Sequence, residues 1–222
     1  MGVAENLQII KKKIPAHVTL VAVSKTKPDE AIMEAYEAGH RDFGENKVQD
    51  LAAKQERLPA DIRWHMIGHL QSNKVKYLAS FVHMLHGVDS LKLLNVINRE
   101  AEKYNRVLDC LLQVHIAREE TKFGLTEEEL ILLIDSDAFR EMKHVRIRVL
   151  MVMATYTENS NQIREEFRHL KRIFDRLKGA QFAEQAAFVQ LSCGMSGDYA
   201  LAIEEGSNLV RIGSLIFGPR NY

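Results

Sequence analysis

The chain has 222 residues, 46% hydrophobic and 27% charged, with 30 Lys and Arg balanced by 30 Asp and Glu. This is the composition of a soluble globular protein with material for a sizeable core, and zero net charge leaves no electrostatic footprint for nucleic acid or an anionic membrane. Cys110 and Cys193 lie far apart in apolar runs, which excludes a disulfide framework and a zinc spacing and suits a reducing compartment. Glu5 stands where a signal peptide would carry its apolar core, and no apolar stretch reaches the roughly 18 residues of a membrane span, so the expected location is the cytoplasm.

Taken in order, short apolar runs alternate with amphipathic ones. Residues 4–13 read as an opening helix whose Lys11, Lys12 and Lys13 form a solvated face. The Val-rich run 18–24 reads as a strand buried on both faces. Pro28 suits the first position of the next helix and Gly39 its end. A short strand follows at 41–44, a helix to about residue 57, a strand at 62–68, a helix over 72–79 and a fourth strand at 81–88. Ser90 can cap the helix in which Leu91, Leu94, Ile97, Ala101 and Tyr104 recur at helical spacing. Strand five spans 107–115 and leads into a polar loop over 118–123. Thr126 with Glu129 fits a capping box. Strand six spans 145–153, and the helix after it carries Ile163, Phe167, Leu170, Phe174 and Leu177 on one face before stopping at Gly179. Strand seven covers 188–191, a helix ends at Glu205, and strand eight covers 209–212.

Strands joined through helices imply a parallel sheet. Eight such units imply an α/β fold: a single (β/α)8 TIM barrel with an extra N-terminal helix, one domain over residues 1–222. An open doubly wound sheet would prefer fewer strands and a Gly-rich first turn, which Ser24-Lys25-Thr26 is not.

Lys25 stands where strand one ends. Ligands bind at the carboxyl edge of parallel sheets, and an amine partly desolvated there loses proton affinity and can attack a carbonyl. Ser192-Cys193-Gly194-Met195-Ser196-Gly197-Asp198 follows strand seven, and Arg211-Ile212-Gly213-Ser214 closes strand eight. Each alone is an ordinary Gly/Ser turn. Together their small residues let backbone N–H groups face an anion, aided by helix dipoles, where barrels often build a phosphate site. A lysine beside two such loops favours a ligand carrying a carbonyl and a phosphate, namely pyridoxal 5'-phosphate (PLP) held as an imine. An always-charged Arg211 against the pyridine nitrogen would leave that nitrogen unprotonated and the ring a poor carbanion sink.

Over essentially its full length the chain resembles the PLP homeostasis proteins. The resemblance rests on Ala22-Val23-Ser24-Lys25-Thr26-Lys27-Pro28, Phe43-Gly44-Glu45-Asn46, Trp64-His65-Met66-Ile67-Gly68-His69-Leu70-Gln71-Ser72-Asn73-Lys74, Lys122-Phe123-Gly124, Gly194-Met195-Ser196-Gly197-Asp198 and Val210-Arg211-Ile212-Gly213 with Phe217-Gly218-Pro219-Arg220. It implies a barrel like the N-terminal barrel of alanine racemases, with Lys25 forming the internal aldimine. It implies Ser196, Gly213 and Ser214 on the phosphate, Gly197 shaping that loop, Arg211 facing the ring nitrogen, and Asn46 near the lysine. The implied role is vitamin B6 homeostasis as a monomer, with PLP and PLP-dependent apoenzymes as partners. Two positions depart from the family pattern. His115 replaces an Asn, placing an imidazole near the barrel mouth, and Cys193 replaces a Met, a swap of soft apolar side chains.

Racemases of the related fold add a tyrosine from a separate β domain, whereas Tyr222 closely follows strand eight. The expectation is therefore a carrier rather than a PLP-dependent racemase or decarboxylase. Other polar residues read as structural. His65 and His69 share strand parity but lack a third zinc ligand, and His83 and His86 are weaker candidates still. Asp135 and Asp137 read as solvated, and nothing requires Tyr156 or Thr157 at the mouth.

Overall fold

The computed structural model describes residues 2–116 and 123–219. Residues 118–122 of the expected polar loop, with Lys122, and also Arg220 and Tyr222 fall outside that range. A helix α1 (Val3–Lys13) precedes strand β1 (Thr19–Val23), α2 (Asp29–Glu37), β2 (Asp42–Glu45), α3 (Val48–Arg57) and β3 (Arg63–Met66). A 3-10 segment (Ser72–Tyr77) stands where a helix over 72–79 was expected, and β4 (Met84–Val88), α4 (Leu91–Glu102) and β5 (Leu108–Gln113) follow. The remaining elements are α5 (Glu127–Asp135), α6 (Asp137–Arg140), β6 (Val145–Met151), α7 (Ser160–Gly179), β7 (Gln190–Ser192), α8 (Tyr199–Glu204), β8 (Leu209–Ile212) and α9 (Ser214–Phe217). The eight strands, all parallel, form a closed barrel in sequence order. Among the described residues no helix is long and apolar enough to cross a membrane.

Local signals account for most ends. Ser90 accepts from the Leu93 amide, and Thr126 and Glu129 form the reciprocal capping box. Pro28 lies one position earlier than expected, as the cap of α2. Tyr104 falls beyond the end of α4 and is exposed, and α6 and α9 had no clear sequence signature. Asp135 ends α5 and Asp137 opens α6, both near the surface.

Period-two alternation sorts the strand residues into two layers. Leu20, Ala22, Phe43, Trp64, Met66, Leu85, Cys110, Leu112, Leu150, Val210 and Ile212 join the core between barrel and helices. In that core α7 buries Ile163, Phe167, Leu170, Phe174 and Leu177, as its spacing required. Val21, Met84, Leu111, Val149, Met151 and Leu209 form a separate cluster inside the cylinder. The same inward parity carries polar residues on the other strands: Asp42 on β2, His65 on β3, His86 on β4, Gln113 on β5 and Arg211 on β8.

His40, at the entry to β2, is buried against Phe43, with Nε2 at 2.9 Å from the Asp42 carbonyl. Burial, with Lys11 nearby, pushes its imidazole down to about 4 from 6.5. Between those values the unfolded chain binds a proton that the folded chain refuses, so this histidine makes stability fall as pH drops through that window. Thermal unfolding followed across it should show the decline, to which the depressed His83 and His86 also contribute, and His40→Gln should make it shallower. An identical slope in the variant would remove His40 from the account.

Candidate functional site

Lys25 is carried by a tight turn immediately past β1. The Lys27 amide donates to the Ser24 carbonyl at 3.1 Å, and Thr26 takes φ 65°. A β-branched residue in the left-handed region is strained, at a cost of about 1–3 kcal/mol, and persists only where the surroundings enforce it. Here they do so through a buried ion pair. Lys54 Nζ lies 2.8 Å from Glu45 Oε1 and donates to the Ser24 carbonyl at 3.0 Å, while the Ser24 hydroxyl donates to Glu45 Oε1 at 2.6 Å. Strand β2 and helix α3 thus grip the residue before the lysine. Sequence reasoning missed this pair; only the placement of Glu45 within Phe43-Gly44-Glu45-Asn46 pointed near it.

Lys25 opens onto a cavity of about 400 Å³ at the carboxyl ends of the strands. All seven residues singled out from the sequence line it: Lys25, Asn46, Ser196, Gly197, Arg211, Gly213 and Ser214. Lys25 and the Ser196 and Ser214 loops therefore share one end of the cylinder. The floor continues the inward layer upward with Val23, Ile67, Gln113 and Met153. The apolar ones, Val23, Ile67 and Met153, went unread in the sequence, although each lies within two residues of a strand's end. At one side His69 stacks on Phe123 with ring centroids 4.3 Å apart, and Gln113 Nε2 donates to the Phe123 carbonyl. His69 is thus a cavity residue rather than a strand partner of His65, since β3 ends at Met66. His115 does not line the cavity; β5 ends at Gln113, which does. Tyr156 is almost fully exposed.

Two glycines let backbone segments beside the cavity approach closely. A Cβ on Gly68 would come within 2.9 Å of the Asn46 Cα, and one on Gly87 within 2.7 Å of the Gly68 carbonyl oxygen. Opposite them, the Gly213 amide donates to Ser196 Oγ at 3.2 Å, joining the loops after β7 and β8. Helix α8 begins only at Tyr199 and α9 is a single turn. Their dipoles are correspondingly short, so anion affinity here rests on hydroxyls and loop N–H groups more than the sequence reading supposed.

Arg211 is buried, its terminal nitrogens donating to Ser192 Oγ at 2.6 Å and the Val152 carbonyl at 3.1 Å. Burial pushes its guanidinium down from its usual value, but an arginine stays charged. Lys25, Lys27 and Arg211 face the cavity, and among the described residues no carboxylate lines it. Its field is therefore suited to an anion. Cys193 is buried in the outer core, its thiol pushed up to about 12 by burial, as a core substitution would have it.

The seam under the two loops is sparsely laddered, with one register pair, Ser192–Leu209, between β7 and β8. Side chains compensate. Ser207 Oγ accepts from the Cys193 amide at 3.2 Å and lies 2.8 Å from the Cys193 carbonyl, 3.0 Å from that of Leu191 and 3.1 Å from that of Leu209. Asn208 accepts from the Leu191 amide and donates to the Val189 carbonyl. Ser207→Ala should cost about 1–3 kcal/mol by leaving buried groups unsatisfied. Urea unfolding checks this as a lower midpoint at unchanged slope; a wild-type midpoint would mean the seam does not need the hydroxyl.

Residues 2–221 match the family model described as alanine racemase, N-terminal domain. A pyridoxal phosphate homeostasis protein of Aquifex aeolicus is 42% identical, the match covering 91% of this chain and 87% of that protein. Another, from Haemophilus influenzae, is 35% identical over 100% of this chain and 98% of its own length. The structure of PipY of Synechococcus elongatus with PLP bound is 36% identical, with a TM-score of 0.88, covering 97% of this chain and 100% of that one. An alanine racemase of Clostridium difficile shares the fold at 12% identity and a TM-score of 0.73, this chain spanning 57% of it.

Proposed function

This chain belongs to the pyridoxal phosphate homeostasis proteins, within the alanine racemase N-terminal domain family, and on that premise we propose that it binds PLP in the cavity at Lys25 and serves intracellular vitamin B6 homeostasis without robust catalysis. The observation that carries the reading is the cavity itself: a half-buried lysine, a buried arginine and a serine–glycine loop pair share it, with no carboxylate among its described lining residues. The residues fit the group. PLP when bound supplies an aldehyde, a phosphate and an electron-withdrawing ring.

In this reading Lys25 would hold the aldehyde through its Nζ, as an imine formed with loss of water. Ser196, Gly213 and Ser214 hold the phosphate through hydroxyl and backbone donors, and Gly197 leaves that loop room. Asn46 and Gly68 border the lysine side. Val23, Ile67 and Met153 offer an apolar floor for a flat ring. Arg211, a permanent donor lining the cavity, would disfavour a proton on the ring nitrogen if that atom lies beside it. With no carboxylate among the described lining residues to hold a proton there, carbanion chemistry is poorly supported, which favours carrier over enzyme. The near-complete coverage of the homeostasis relatives favours the same choice. We take residues 1–222 to act as one domain and a cytoplasmic monomer, passing PLP to PLP-dependent apoenzymes.

Protein incubated with PLP should gain the visible absorbance of a protonated imine, and Lys25→Ala should lack it. A wild type without that band would sink the cofactor assignment. Racemisation of common amino acids should be negligible, and steady turnover that depends on Lys25 would instead make the protein an enzyme. Transfer to a PLP-free enzyme should proceed faster from loaded protein than from free PLP at equal concentration if the carrier role is right.

A further inference from the structure

At the opposite end of the barrel, strands β2, β3 and β4 bring together side chains that sequence spacing kept apart. Asp42 opens β2, His65 lies in β3, and His83 immediately precedes β4. One ligand atom from each, a carboxylate oxygen and two imidazole nitrogens, lies within 4.8 Å of the others. His65 Nε2 and Asp42 Oδ1 are 3.2 Å apart. That is close to the ligand-to-ligand spacing of about 3.3 Å implied by tetrahedral bonds of about 2.0–2.1 Å. His83 is exposed, so it can swing inward, and its side leaves solvent access for an ion and its waters.

A further feature resembles built metal sites. The far nitrogen of His65, Nδ1, lies 2.8 Å from Nε2 of the fully buried His86. A hydrogen bond at the non-ligating nitrogen is how metal-bound histidines are oriented. His86 Nδ1 has no partner among the described residues. A barrel interior is ordinarily filled by Val, Ile and Leu, so an inward Asp-His-His chain with an unsatisfied end is not explained by packing.

We propose that Asp42, His65 and His83 form a binding site for a first-row divalent transition metal ion, with zinc as the type. Two imidazoles and one carboxylate suit zinc, nickel or copper, and offer too few oxygens for magnesium or calcium. The competitor is Arg63, whose guanidinium now grips both Asp42 oxygens, Nε at 2.7 Å and a terminal nitrogen at 2.5 Å. Its side chain is 49% exposed and can turn to water when an ion takes Asp42. The site lies at the amino-terminal end of the strands, remote from Lys25, so the ion's role is structural.

Calorimetric titration of the PLP-free, full-length protein with zinc chloride tests this. One equivalent should bind, with Lys25→Ala behaving as wild type. His83→Ala, at an exposed residue that leaves the fold intact, should weaken binding at least tenfold. Arg63→Gln should tighten it by freeing Asp42, whereas a merely structural salt bridge would show only lost stability. Magnesium chloride should give no comparable heat. A wild type that binds no zinc, affinity unchanged in His83→Ala, or Arg63→Gln binding no tighter than wild type would each overturn the site. PLP loading in the presence of EDTA should be normal, so failure here and failure at Lys25 are read separately.

Discussion

Four consecutive register pairs between β8 and β1, from Thr19–Leu209 to Ala22–Ile212, close the cylinder. Everything at the candidate site depends on that closure. It sets the last strand beside the first, so that residues nearly the whole chain apart, Lys25 and Gly213, border one cavity. Gly213 fits so closely against β1 that an added Cβ would stand 3.1 Å from the Val23 carbonyl oxygen. Lys27 extends the same union outward by donating to the Pro219 carbonyl at 2.8 Å. On the other side of β8 the ladder is thin, and Ser207 and Asn208 hold the seam with side-chain hydrogen bonds. The two loops that would cradle an anion are thus held from both flanks.

The interior of the barrel is divided in character. One region is apolar, the cluster of Val21, Met84, Leu111, Val149, Met151 and Leu209. The other is polar, running from Asp42 through His65 to His86, with Arg211 and Gln113 nearer the carboxyl rim. Buried polar groups carry a desolvation penalty unless they find partners. Arg63 and His65 hold the Asp42 carboxyl well below the usual carboxylate range although burial opposes them. Burial and its cationic neighbours push the His86 imidazole down, so it remains neutral. Such a chain costs stability that aliphatic packing would not, which is the physical reason to seek a ligand for it.

Strain and charge at the carboxyl end point to a single purpose. The turn at Thr26 is left-handed where glycine would be easier, and the Glu45–Lys54 pair behind Ser24 over-determines it. A lysine on such a turn has less freedom than one on an open loop, which lowers the entropy lost on bonding a ligand. The positive cavity then supplies attraction for an anion. The low charge of the protein as a whole does not contradict this, because the field is local to three cations and a rim of small residues.

Much of this was legible before any fold was known. Alternation of apolar periods marked all eight strands and the longer helices, because burial pattern and capping are local properties of sequence. Lys25, Asn46, Arg211 and the serine–glycine loops could be nominated because each directly follows or ends an apolar strand run. Strand ends were read too generously at 62–68, 81–88 and 107–115, where β3, β4 and β5 cover only Arg63–Met66, Met84–Val88 and Leu108–Gln113 because turns and loops take over at their ends. The extra length misassigned His69 to strand β3 and put His115 at the mouth in place of Gln113. The gathering of Asp42, His65, His83 and His86, and the pairing of Glu45 with Lys54, could not be read at all. Sequence by itself determined the kind and order of the elements and where a reactive amine would stand. Only the tertiary structure decided which side chains meet across strands, because that depends on barrel closure and register, which are set by distant pairings rather than by neighbours in the chain.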